Sequence, residues 1–281
     1  MHRASCLCGD VTWEIGEPLE LMHHCHCSRC RKAHGTPFAT YVAGPSASFR
    51  MRGQDNVARW ESSPGFFRAF CGRCGAVVPG EPFDHRVFVP AGNFLDDPGV
   101  QPLAHIFVAS KAPWFDLRDD LPRFDAFPPD FDAAVLPDRA ALDPPGAPRG
   151  SCLCGAVGYV VEGEPLRAWN CHCGRCRRAR SAAYAANLFI ASDGVRFTRG
   201  EELLSSYKVP DAERFTHVFC RQCGASMPRA DRHLPLAFVP MGSLDDDPGM
   251  RPQGHIFTES KAPWYTIADD LPQHAQYPTS T

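Results

Sequence analysis

Short stretches in which apolar and polar positions alternate recur along the chain. Val11, Trp13 and Ile15 alternate with Thr12 and Glu14, and Val157, Tyr159 and Val161 repeat the alternation later. This is the period of a strand with one buried face. Short β-branched or aromatic runs follow at Phe38–Val42, Phe66–Phe70, Arg86–Val89 and His105–Val108, punctuated by glycine and proline. The 27 prolines argue against long helices anywhere. The predicted class is mainly β with little helix. Asp96-Asp97-Pro98-Gly99 lacks the alternating ligands of a calcium loop and reads as a turn.

The chain is written twice. His105-Ile-Phe-Val-Ala-Ser-Lys-Ala-Pro-Trp114 returns as His255-Ile-Phe-Thr-Glu-Ser-Lys-Ala-Pro-Trp264. The shift between copies is 146 at Cys6/Cys152 and Cys25/Cys171, 147 at Gly53/Gly200, 149 at Cys71/Cys220 and 150 at His105/His255. Two repeats make a tandem pair, not a solenoid. The predicted division is a first domain over 1–127, a Pro/Asp/Ala-rich linker over 128–148 and a second domain over 149–281.

Fourteen cysteines follow the repeat without remainder. Each copy holds a C-x-C (Cys6, Cys8; Cys152, Cys154), a C-x-C-x-x-C (Cys25, Cys27, Cys30; Cys171, Cys173, Cys176) and a C-x-x-C (Cys71, Cys74; Cys220, Cys223). Seven per copy is an odd number, so pairing within a copy would strand a thiol. Close thiol pairs on separate segments are instead the pattern of zinc ligands. The sets Cys6, Cys8, Cys71, Cys74 and Cys152, Cys154, Cys220, Cys223 each complete a tetrahedral shell. A closed shell is structural, and its metal free energy becomes folding free energy. Cys25, Cys27 and Cys30, with Cys171, Cys173 and Cys176, supply three sulfurs from one short loop. The fourth position is either open, as in a catalytic site, or closed by His24, His26 or His34 in copy one and His172 in copy two. The expected cofactor is zinc, two ions per copy and up to four per chain.

The ordered clusters C-x-C-G, C-H-C-x-x-C-R-K and F-C-x-x-C-G resemble the glutathione-dependent formaldehyde-activating family, which shares its domain with centromere protein V. The resemblance spans nearly the whole chain, twice. It implies two tandem zinc-stabilised β-tent domains and a carbon–sulfur lyase activity joining a small thiol, such as glutathione, to an aldehyde such as formaldehyde. It also implies that the four-cysteine sites are structural and that thiol binds at the three-cysteine sites. Copy two departs from the pattern after its cluster: His34-Gly35 becomes Arg180-Ser181. A residue with a side chain then stands where glycine permits positive φ, which predicts a weaker open site in copy two.

His105 and His255 could serve as proton donors or as hydrogen-bonded core histidines. Lys111 and Lys261 could hold a substrate carboxylate or lie in solvent, and Trp114 and Trp264 read as core. A net charge of −3 argues against non-specific nucleic-acid binding. The basic run Arg175, Arg177, Arg178 and Arg180 reads as a solvated face. No stretch has the length to span a bilayer, and the expected setting is the reducing cytoplasm. The alternatives to an enzyme are a non-catalytic zinc module that binds a partner, and a redox or metal-storage protein.

Overall fold

The structure is a computed structural model that describes residues 1–129, 131, 134–138 and 141–278. The first copy runs β1 (His2–Ser5), β2 (Thr12–Ile15), β3 (Glu20–Cys25), α1 (Ser28–His34), β4 (Ala39–Pro45), β5 (Arg50–Arg52), β6 (Val57–Ser63), β7 (Phe66–Cys71), β8 (Val77–Val78), β9 (Arg86–Pro90) and β10 (Ala104–Ile106). The second runs β11 (Arg149–Ser151), β12 (Gly158–Val161), β13 (Arg167–Cys171), α2 (Gly174–Arg180), β14 (Ala185–Ala191), β15 (Val195–Arg199), β16 (Leu204–Lys208), β17 (Thr216–Cys220), β18 (Leu236–Pro240) and β19 (His255–Ile256). The mainly β class expected from the alternation holds in both halves.

Each copy carries a three-stranded sheet, β1-β2-β5 or β11-β12-β15, and a four-stranded one, β10-β3-β4-β9 or β18-β14-β13-β19. A third, small sheet is β6-β7-β8 in copy one and β16-β17 in copy two. Val11, Trp13 and Ile15 are fully buried while Glu14 is exposed, as their alternation requires. In copy two Val160 is buried along with Tyr159 and Val161, so β12 is covered on both faces. His105–Val108 is strand only to Ile106, because Phe107 turns left-handed (φ 58°) into a short 3₁₀ turn.

The two seven-residue helices were not legible in the hydrophobic pattern, and they correct the placement of the third sulfur. Cys30 and Cys176 lie on α1 and α2, not on a loop. Cys27 and Cys173 are the N-caps, their sulfurs accepting the backbone N–H of Cys30 and Cys176 at 3.4 Å. The C-x-x-C spacing is therefore cap geometry as well as spacing suited to metal ligands. Gly35 ends α1 at φ 66°, ψ 31°, and Ser181 ends α2 at φ 52°, ψ 39°. The change from glycine to serine thus leaves the left-handed cap in place. The Ser181 hydroxyl donates to the Val77 carbonyl of copy one at 2.9 Å.

The copies pack directly on each other, and their buried apolar residues form one continuous cluster. The end of each helix lies against a 3₁₀ turn of the other copy, Ala91–Asn93 or Met241–Ser243. A Cβ on Gly92 would fall 2.0 Å from the Ala182 nitrogen, and one on Gly242 2.1 Å from the Thr36 nitrogen. Only glycine permits that approach. Lys32 of α1 reaches into copy two, pairing with Asp245 at 2.7 Å and donating to the Ser151 hydroxyl at 2.9 Å. Both side chains of that ion pair are buried. Of the connecting segment, Asp138 accepts the Ser28 hydroxyl at 2.5 Å and Pro137 accepts from Arg29 at 3.0 Å. Asp130, Asp132, Ala133, Arg139 and Ala140 of the predicted linker lie outside the described residues.

Candidate metal centres

The turn between β1 and β2 brings Cys6 and Cys8 to the β7–β8 turn with Cys71 and Cys74, and copy two repeats the arrangement with Cys152, Cys154, Cys220 and Cys223. The sulfurs stand 3.4 Å (Cys6–Cys8) and 3.6 Å (Cys8–Cys71) apart in copy one. In copy two the separations are 3.3 Å (Cys152–Cys154) and 3.9 Å (Cys154–Cys220). A tetrahedron of about 2.3 Å zinc–sulfur bonds has edges of about 3.8 Å. The four sulfurs fit that shell, and all fourteen cysteines are unbridged. The backbone N–H groups of Val11 and Val157 donate to Cys6 and Cys152 at 3.3 and 3.2 Å, which steadies thiolate charge.

Cys25, Cys27 and Cys30 form a separate group, as do Cys171, Cys173 and Cys176, with all sulfurs of a group within 4.8 Å. None of the histidines that could complete these shells belongs to either group. Alternation along β3 sends His24 and His26 to the face opposite Cys25. His24 Nδ1 meets the Thr40 hydroxyl at 2.8 Å. His26 Nε2 meets His105 Nδ1 at 2.8 Å, and His105 Nε2 donates to Asp119 at 2.9 Å. His172, His255 and Asp269 repeat the chain at 2.8 and 3.0 Å. Because the carboxylate can only accept, His105 Nδ1 is the acceptor from His26, which leaves His26 Nδ1 buried without a partner. Burial first, then His105, pushes His26 down to about 3, and His172 likewise with His255.

His105 and His255 are fully buried with both ring nitrogens engaged. Lys111 does not reach solvent freely: its ammonium folds back onto the Ala112 and Phe115 carbonyls, and Lys261 does the same at Ala262 and Tyr265. Trp114 and Trp264 are core. A cavity of about 350 Å³ lined by His24, Asp119, Asp120, Trp264 and Thr266 lies on the histidine side of β3, between the copies.

The walls of the two three-cysteine groups differ. In copy one Arg68 of β7 donates to the Cys30 sulfur at 3.5 Å. Burial lowers the Arg68 pKa, but Cys30, Tyr41 and Cys27 outweigh it and leave the guanidinium raised. His34 donates from Nδ1 to the Arg180 carbonyl at 2.7 Å and accepts the Tyr41 hydroxyl at 2.8 Å. It is neutral, pushed down to about 4 by burial. In copy two Arg180 donates to Asn187 Oδ1 at 3.2 Å and lies 3.4 Å from His217 Nε2. Burial lowers Arg180 to about 10 against the attraction of Cys176. His217 donates from Nδ1 to the Cys74 carbonyl at 2.8 Å, and burial holds it near 3. The basic run of α2 is therefore not a solvated face. Only Arg175 is exposed: Arg177 bonds the Ser260 carbonyl within copy two at 3.2 Å, and the end of α2 packs against the Ala91–Asn93 turn of copy one.

The family model for the glutathione-dependent formaldehyde-activating enzyme matches residues 1–110 and 147–260. The chain belongs to that family. Its two matched regions are the two copies, each carrying one four-cysteine and one three-cysteine group. The family's name describes activation of formaldehyde with glutathione, and both cysteine groups suit zinc. A crystal structure of a Rhodobacter sphaeroides protein is 30% identical over 37% of this chain and 97% of that one, with a TM-score of 0.28. No curated protein matches the chain. Among the described residues, no helix is long and apolar enough to cross a membrane.

Proposed function

We propose that the chain joins a small thiol of the glutathione type to an aldehyde such as formaldehyde, in the sense of a carbon–sulfur lyase working towards synthesis. The observation that carries this reading is the contrast in ligand number. The Cys6 and Cys152 groups offer four sulfurs, whereas the Cys25 and Cys171 groups offer three, with the neighbouring histidines turned to other partners. Four thiolates saturate zinc, and three leave a place for a further ligand. A zinc ion held by three of these sulfurs would lower the pKa of an entering thiol into the neutral range.

Cys25, Cys27 and Cys30 hold the reacting centre at the N-terminus of α1, and Cys171, Cys173 and Cys176 at that of α2. The thiol proton leaves to solvent, the sulfur attacks the aldehyde carbon, the carbon–oxygen π bond opens, and the oxygen takes up a proton to give the S-hydroxymethyl adduct. The four-cysteine groups fasten each copy and take no part in bond making.

Exchange spectroscopy on glutathione and formaldehyde reads the test. The zinc-loaded chain should raise adduct formation above the spontaneous rate, and the Cys27→Ser/Cys173→Ser variant should remove the excess. A wild-type chain with full zinc and no excess rate would assign the protein to the non-catalytic class of zinc module.

A further inference from the structure

Aligning the copies by their cysteines exposes an exchange. Position 34 corresponds to 180, 41 to 187 and 68 to 217, at the same shifts of 146 and 149 that relate the clusters. Copy one has histidine on the helix and arginine on the strand, and copy two has arginine on the helix and histidine on the strand. Each three-cysteine group thus keeps one enclosed guanidinium and one neutral buried histidine, delivered from opposite elements. Both histidines spend Nδ1–H on a backbone carbonyl of the other copy, Arg180 for His34 and Cys74 for His217. The partner of each pair is adjusted too: Tyr41 donates its hydroxyl to His34, while Asn187 offers its carbonyl oxygen to Arg180.

The ends of both helices also meet the other copy closely. A Cβ on Gly35 would lie 3.2 Å from Arg180 Nη1 and 2.8 Å from the Ser226 Cβ. With φ at 66° and the Ser226 Cβ that close, Gly35 fits where a side chain would force copy two to shift. Ser181, at the matching place, keeps a left-handed φ of 52° and spends its hydroxyl on the Val77 carbonyl of copy one.

We propose that Arg68 and Arg180 are the charge partners of the two three-thiolate centres, each offsetting the negative charge that a thiol brings when it enters as fourth ligand. The inference rests on the thiol-binding reading above. Three thiolates around a divalent ion carry net −1, and a fourth makes −2. Water cannot easily screen that charge beside buried strands, so one fixed guanidinium decides how readily the last thiolate is held. Arg68 does this by direct contact with Cys30, and Arg180 from one helical turn beyond Cys176 on α2, against His217 and Asn187.

The test uses the full chain loaded with cobalt(II) and titrated with glutathione, read by the sulfur-to-cobalt absorption bands. Wild type should hold four cobalt ions and show two glutathione-responsive centres. Arg68→Met should weaken one of the two by about tenfold or more, the effect of losing a charge-assisted hydrogen bond. Arg180→Met should weaken the other. Arg68→Lys keeps the charge and should titrate within about threefold of wild type, even if the methionine variant sheds its metal. Arg68→Met binding glutathione like wild type would overturn the proposal. So would Arg68→Lys failing as badly as Arg68→Met while both hold four cobalt ions. A wild-type chain that binds four cobalt ions and ignores glutathione would instead remove the thiol-binding reading itself, and this inference with it.

Discussion

The two kinds of cysteine group diverge differently between the copies. At the four-cysteine sites nothing of consequence changes: the same spacing, the same N–H···S bond from Val11 or Val157, and nearly the same sulfur separations recur. At the three-cysteine sites the ligands are kept but the surroundings are rebuilt. Cys30 is buried under Arg68, whereas Cys176 is partly buried, and the Asp138 carboxylate bonds Ser28 beside the copy-one site. A site that only fastens the fold is constrained by ligand geometry alone. On the proposed reading the three-cysteine site is also shaped by the thiol that enters it, and there the two copies have different arrangements of the same charges.

The largest effect should come from breaking a four-cysteine shell. Cys71→Ser removes a ligand that ties β1–β2 to β7–β8, and copy one should lose several kcal/mol, enough to unfold it. Calorimetry showing a wild-type melting transition for that variant would contradict the structural role. Next is the junction between copies. Lys32→Met leaves Asp245 buried without its partner and should cost about 3–5 kcal/mol. The paired change Lys32→Met/Asp245→Leu should recover much of that, and denaturant unfolding of the three proteins measures it.

A smaller effect is read by pH. His34 is held neutral, its pKa pushed by burial to about 4 from an ordinary value near 6.5. Protons therefore favour the unfolded chain as pH falls below about 6.5, and stability rises with pH across the window from about 4 to 6.5. At pH 5 the cost should be about 2 kcal/mol. In His34→Gln that contribution should vanish from the pH profile, and an unchanged acid slope would contradict the neutral assignment. Smallest is the difference in activity between centres. Because Arg68 touches Cys30 directly and Arg180 has no such contact, Cys27→Ser should cost about three- to tenfold more turnover than Cys173→Ser. Equal losses would show that the exchanged arrangements are equivalent.

Much of this comparison is readable in the sequence because it is written twice. The spacing of fourteen cysteines sorted the groups, and the alternation around Trp13 placed a strand. The helices are not legible because seven residues are too short for a 3.6-residue period to show, and because Cys27 is both the cap and a candidate ligand. The arginine–histidine exchange was present in the aligned copies at 34/180 and 68/217, but position 68 reads as an ordinary strand residue until β7 is seen beside Cys30. The Lys32–Asp245 pair has no signal at all, since Asp245 sits in a turn-like Asp-Asp-Asp-Pro string and 213 residues separate the partners. Contacts across a duplication are long-range by construction, and local pattern carries nothing about them.

On the proposed reading each copy holds one saturated and one unsaturated zinc centre. X-ray absorption at the zinc edge, with metal analysis on the same sample, tests it directly. The account predicts four zinc ions per chain, an average below four sulfurs per zinc in the resting protein, and a rise towards four when glutathione is added, with about one proton released per thiol bound. Four sulfurs per zinc from the start, or three with no response to thiol, would contradict it.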